Sequence, residues 1–147
     1  MPNLRKVDVL LVEDDLGHAR LIEKNLRRAN LTNKIITVHD GQQALDYLFG
    51  TGEYHGTPHQ SSLVIVLDLN LPVMDGFEVL RQMKSNEQTK HIPVIILTTT
   101  DDYREVDRCY TLGCNIYMTK PVEYEQFSEA IRKLGLFLSV VTIPDGE

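Results

Sequence analysis

Short apolar runs recur along the chain: VDVLLV at 7–12, IITV at 35–38, LVIVL at 63–67, IPVIIL at 92–97 and IYM at 116–118. They are rich in β-branched residues and almost uninterrupted by polar ones, the pattern of strands buried on both faces of a parallel sheet. Pro93 stands near the start of its run, where a missing N–H costs least. Between the runs the period changes. Ala19, Ile22, Leu26 and Ala29 recur at spacings of three and four, as do Phe77, Leu80 and Met83. Phe127, Ala130, Ile131, Leu134 and Leu138 do the same, and each set lays an apolar stripe along one side of a helix. Asp40-Gly41 opens a helix over QQALDYLF, and Asp75 caps the next with Glu78 at N3. Asp101 or Asp102 caps the fourth helix, and Gly113 ends it. Five β-α units predict a doubly wound α/β fold filling 1–147 as a single domain, with a core over 6–136 and a C-terminal extension over 137–147.

Two segments break the repeat. GTGEYHGTPHQ (50–60) is longer than the roughly 2–6 residues usual for such a connection. LGLFLSVVTI (134–143) is apolar on more faces than one packed helix requires. Leu136, Phe137, Val140, Val141 and Ile143 would leave apolar surface on a monomer, which predicts a homodimer through this segment and the adjoining fourth helix, fifth strand and fifth helix.

Composition narrows the function. The net charge is −6 with no Lys/Arg cluster, which argues against a nucleic-acid surface. The N-terminal apolar run is too short for a signal peptide or a membrane span. Cys109 and Cys114 form no CxxC and have no His ligands nearby, so they read as reduced thiols in a helix end and the following strand. A cytoplasmic protein is expected. His55 and His59 are loop histidines without carboxylates, and the glycines form no phosphate-binding motif.

The chemically interesting residues share one address. Glu13, Asp14 and Asp15 follow the first strand, Asp68 ends the third, Thr98, Thr99 and Thr100 end the fourth, and Lys120 follows the fifth. In an open α/β sheet ligands bind beyond the carboxyl ends of the strands, at the point where strand order reverses. If the order is 2-1-3-4-5, strands one and three are neighbours there, and Glu13, Asp14 and Asp68 converge. Carboxylates gathered in this way repel one another unless a cation neutralises them, and hard oxygen ligands suit Mg²⁺. Lys120 and Thr98 add a positive charge and a hydroxyl suited to an incoming phosphoryl group.

LLVEDD, VLDLNLPVMDG, PVIILT and YMTKP together resemble the receiver domain of two-component response regulators over residues 6–136. The resemblance implies a flavodoxin-like five-stranded parallel sheet of order 2-1-3-4-5 with helices on both faces. It makes Asp68 the phosphoacceptor, with Asp14 and Asp68 binding Mg²⁺ (or Mn²⁺) directly, Glu13 binding through water, and the Asn70 carbonyl as a further ligand. It has Lys120 pair with the phosphoryl oxygens, Thr98 hydrogen-bond them, and Tyr117 act as an aromatic switch. Asn70 and Thr100 would tune phosphate lifetime, and the Lys120–Pro121 peptide would be cis. Thr99 departs from the family's usual small residue and is expected to crowd the phosphate entrance. The whole chain is similar to single-domain regulators of cyanobacterial phytochromes, which implies a sensor histidine kinase of phytochrome type as partner and an output made through protein contacts. Two other readings start from the same residues. A haloacid-dehalogenase-like phosphohydrolase would need an acid/base Asp where Asn70 stands, and a receiver no longer phosphorylated would have no use for Asp68, Thr98 and Lys120 together.

Overall fold

The structure, a computed structural model, describes residues 7–56 and 62–141. Its elements follow the predicted alternation: β1 Asp8–Val12, α1 Leu16–Arg28, β2 Ile35–Val38, α2 Gly41–Phe49, β3 Leu63–Leu67, α3 Gly76–Lys84, β4 Val94–Thr98, α4 Tyr103–Leu112, β5 Ile116–Thr119 and α5 Tyr124–Val140. All strand pairs are parallel, and the sheet order is β2-β1-β3-β4-β5.

Both faces of the sheet are apolar because successive side chains of each strand serve different cores. Leu10, Val12, Ile65, Leu67, Val94 and Ile96 pack with Ala44, Leu48, Leu80 and Met83 of α2 and α3 on one side. Val9, Leu11, Val64, Val66, Ile95 and Leu97 pack with Ile22 and Leu26 of α1 and Phe127, Ile131 and Leu134 of α5 on the other. The central strands β3 and β4 are buried throughout, whereas β2 and β5 are half-buried edges.

The helix boundaries follow local chemistry. Asp15, Asp40, Asp75 and Asp102 each accept a backbone N–H at the start of a helix, and Gly50 and Gly113 close α2 and α4 in the left-handed conformation. Asp75 accepts from Glu78 N at 3.0 Å, but the Glu78 carboxylate turns to Arg81 and Gln82 instead of completing a capping box. The stronger partner, a guanidinium, draws it away.

Three details extend the expectations. α5 continues unbroken through Val140 with Leu138 buried. Cys114 lies in the turn ahead of β5, and both thiols are free and buried, with burial pushing Cys109 up to about 12. The 50–60 loop carries a 3₁₀ turn at Gly52–Tyr54, where Tyr54 stacks edge-on to Tyr47 at 5.2 Å.

The loop after β3 passes against the start of α3. A Cβ on Gly76 would sit 2.3 Å from the Asp68 carbonyl oxygen and 2.7 Å from Leu69 Cα, so only glycine admits the crossing. Within that loop Val73 holds φ at +68°, an unusual conformation for a β-branched residue, while Met74 N bonds Pro72 O at 2.7 Å. We expect Gly76→Ala to destabilise the fold by about 2 kcal/mol through overpacking, read as a lower midpoint with an unchanged slope in urea unfolding.

Candidate functional site

The sheet's own ladder extends into the site. Glu13 N donates to Val38 O at 3.0 Å, Asp68 N to Val12 O at 3.1 Å and Lys120 N to Thr98 O at 2.6 Å. Each residue lies one position beyond its strand, held by backbone hydrogen bonds to the neighbouring strand. Side chains presented in this way sit on backbone tied into the sheet.

One carboxylate oxygen from each of Glu13, Asp14 and Asp68 lies within 4.8 Å of the others. Glu13 and Asp68 are buried at 1% and 6% exposure, and Asp14 is exposed. Lys120, itself 4% exposed, brings its Nζ to 2.5 Å from Glu13 Oε1, 3.0 Å from Asp68 Oδ2 and 3.1 Å from His18 Nδ1. The Thr98 hydroxyl donates to Asp68 Oδ1 at 2.8 Å, and Asn70 N donates to the same oxygen at 3.2 Å. Asp15 N donates to Glu13 Oε2 at 3.2 Å.

Three carboxylates thus face one ammonium. Burial pushes the Glu13 carboxyl up to about 7 against the pull of Lys120, with the charge on Asp68 adding to the rise. An oxygen-only donor set carrying excess negative charge fits a hard divalent cation such as Mg²⁺ or Mn²⁺, and offers nothing to a soft metal.

The other predicted residues take distinct places. Thr99 is exposed at the strand end. The Thr100 hydroxyl accepts from Asp102 N at 3.2 Å, tying it to the start of α4, and its carbonyl accepts from the Tyr117 hydroxyl at 2.7 Å. Tyr117 is half-buried against the core formed with α2 and α3. Asp15 caps α1 and stays outside the acidic cluster. The expected cis Lys120–Pro121 peptide is corrected: no described peptide bond is cis. The trans form is the intrinsically favoured one, by about 0.5–1 kcal/mol before proline, and in it Lys120 already reaches both buried acids. Of the predicted partner surface, Leu136, Phe137 and Val140 are 46%, 47% and 76% exposed. Val141 is half-buried against the α1–α5 core, and Ile143 lies outside the described residues, as does His59.

His18 escaped the sequence reading. A lone histidine one turn into a helix carries no motif. The available signal was its spacing, three residues after the cap Asp15, which points a first-turn side chain back toward the β1 end of the sheet.

The family model described as response regulator receiver domain matches residues 9–132. The chain is 36% identical to response regulator Rcp1 of Synechocystis over 137 residues, 92% of each protein. The solved Mn²⁺-bound form of Rcp1 superposes with a TM-score of 0.86 at 36% identity, over 95% of this chain and 99% of that one. A response regulator receiver domain from Rhodospirillum rubrum is 52% identical with a TM-score of 0.86, over 96% and 99% of the two chains. The phosphorylated cyanobacterial phytochrome response regulator RcpA is 32% identical, also at 0.86, over 97% and 100%.

The raised Glu13 carboxyl gives a pH signature. Folding holds a proton that the unfolded chain releases, so its stabilising contribution is complete below about pH 4.5 and lost as pH rises toward about 7. In chelator-treated protein, Glu13→Gln should flatten this segment of the stability profile by on the order of 2 kcal/mol, measured by urea unfolding at stepped pH.

Proposed function

This chain belongs to the response regulator receiver family, and we propose that it accepts a phosphoryl group on Asp68 from a sensor histidine kinase of phytochrome type. The observation that carries the reading is the grip on Asp68: Thr98 and the Asn70 amide hold one carboxylate oxygen and Lys120 holds the other. The phosphorylated RcpA and Mn²⁺-bound Rcp1 structures support the same chemistry.

In the transfer an Asp68 carboxylate oxygen forms a bond to phosphorus as the bond to the donor imidazole nitrogen breaks. The electron pair of that bond remains on the imidazole, which then takes a proton. Little covalent work falls to the protein, because the transition state spreads its charge over three equatorial oxygens. Lys120 stabilises that charge from a buried position where solvent screens it weakly. Glu13, Asp14, Asp68 and the Asn70 carbonyl would hold the Mg²⁺ or Mn²⁺, which supplies further neutralisation when bound.

Once Asp68 is phosphorylated, Thr98 is free to turn its hydroxyl to the phosphoryl oxygens. Tyr117 then exchanges its tether on the Thr100 carbonyl for the space beside Thr98, and the α4-β5-α5 face changes. Asn70, whose amide holds Asp68, and Thr100 at the end of β4 tune the life of the acyl phosphate, and the exposed Thr99 narrows the approach. The output is made through protein contacts in the cytoplasm. No helix among the described residues is long and apolar enough to cross a membrane. Leu136, Phe137 and Val140, with Val141 at their edge, form the surface of a homodimer that extends over α4-β5-α5, where Tyr103 and Tyr110 are also exposed.

Acetyl phosphate should label the protein only with Mg²⁺ present, and Asp68→Asn should remove the label. Equal labelling of the variant would refute the acceptor assignment, and a wild-type chain refusing label would mark a module no longer phosphorylated. Phosphate-ester turnover at ordinary enzymatic rates would instead revive the hydrolase reading. For the dimer, light scattering should give a mass that rises with concentration, and a constant monomer mass would exclude it.

A further inference from the structure

We propose that His18 is a positioning residue for Lys120: its neutral imidazole accepts the third proton of the ammonium and holds the cation over Asp68. The proposal rests on Asp68 being the phosphoacceptor. An ammonium has three N–H donors and no acceptor. Two donors of Lys120 go to Glu13 and Asp68, and among the described residues the third meets only His18 Nδ1, at 3.1 Å. At 4% exposure Lys120 has little access to water, so an unmet third donor would cost about 1–3 kcal/mol.

The contact defines the state of the ring. Nδ1 faces an ammonium, so it carries the lone pair and the proton sits on Nε2. Two neighbours hold the imidazole in this pose. Asp15 Oδ1 accepts from His18 N at 2.9 Å and fixes the backbone at the start of α1. Phe127 of α5, 5% exposed, meets the ring edge-on at 5.6 Å and 82°. Asp15 Oδ2 lies 4.0 Å from Nδ1, farther than the ammonium.

A neutral acceptor is what this position demands. A carboxylate here would add a fourth negative charge to a site that already has three against one, and an aliphatic side chain would leave the donor unmet. Lysine is a point charge on a flexible stem, so its catalytic value depends on what restrains it. When a phosphoryl oxygen replaces Asp68 Oδ2 as its partner, the His18 contact can persist and keep the ammonium in place. His18 does not itself touch the reacting atoms.

The test compares His18→Leu with His18→Asn, whose side-chain oxygen can stand where Nδ1 does. With acetyl phosphate and saturating Mg²⁺, His18→Leu should label about tenfold more slowly, one charge-assisted hydrogen bond's worth of transition-state stabilisation. His18→Asn should recover to within about threefold of wild type. Mg²⁺ affinity, followed by calorimetry, should be the same in all three. In the unphosphorylated protein the ¹⁵N signal of His18 Nδ1 should show no attached proton and should shift on Lys120→Met. A wild-type rate in His18→Leu, an equal defect in His18→Asn, or an Nδ1 signal indifferent to Lys120→Met would each overturn the proposal. Asp68→Asn labelling like wild type would overturn the acceptor assignment instead, whatever the His18 variants do.

Discussion

A buried ammonium between two buried carboxylates is the constraint around which the molecule is arranged. Lys120, Glu13 and Asp68 are all nearly inaccessible, and charges removed from water cost several kcal/mol each unless they are paired and hydrogen-bonded. The pairing is only partial: with Asp14 at the mouth, three carboxylates face one cation. That residual imbalance makes the site receptive. A site fully neutralised by its own side chains would have no electrostatic demand for a divalent cation, and a site with no ammonium would repel a phosphoryl group.

Holding such a group together requires a rigid frame, and the parallel sheet supplies it. Each charged residue follows a strand whose side chains are packed on both faces, and its backbone N–H is bonded to the next strand over. The loops, by contrast, are shaped by local necessities. Gly76 lets α3 start against the Asp68–Leu69 backbone, and Val73 adopts a left-handed conformation to bring the chain around that corner. Asp68 is therefore delivered by a strand packed on both faces and flanked by a tightly constrained loop. α5 has two duties as well. Its inner face completes the core against α1, where Gly135 allows close approach to Ala29 and Leu26, and Phe127 supports the His18 ring. Its outer face carries apolar side chains that no part of the described chain covers.

Much of this was legible in the residue pattern, for a physical reason. Strands buried on both faces must be apolar without interruption, so the five runs declared themselves, and where Val12 gives way to Glu13 or Leu67 to Asp68 the polar residue could only be a sheet end. The caps Asp40 and Asp75 and the terminator Gly113 were equally plain, because orphan N–H groups and left-handed backbone admit few side chains, while Asp101 and Asp102 stood open at α4. The reach of α5 through Val140 and the 3₁₀ turn in the 50–60 loop were not, since a continued helix and a frayed one, or a packed loop and an open one, have similar composition. The expected cis bond at Pro121 came from resemblance and not from any local signal, and the strand placement of Lys120 does not need it.

Residue type and period, which are local, carried the fold class and the chemistry of an acidic site served by Lys120 and Thr98, while the strand order that brings Glu13, Asp14 and Asp68 together came with the family resemblance. How the charges are shared follows from the packing alone: Lys120 spans Glu13 and Asp68, its third donor meets His18, and Phe127 from the far end of the chain holds the ring. Hydrogen bonds between residues some fifty to one hundred positions apart leave no periodic trace, because their geometry exists only once the sheet has brought the strand ends together.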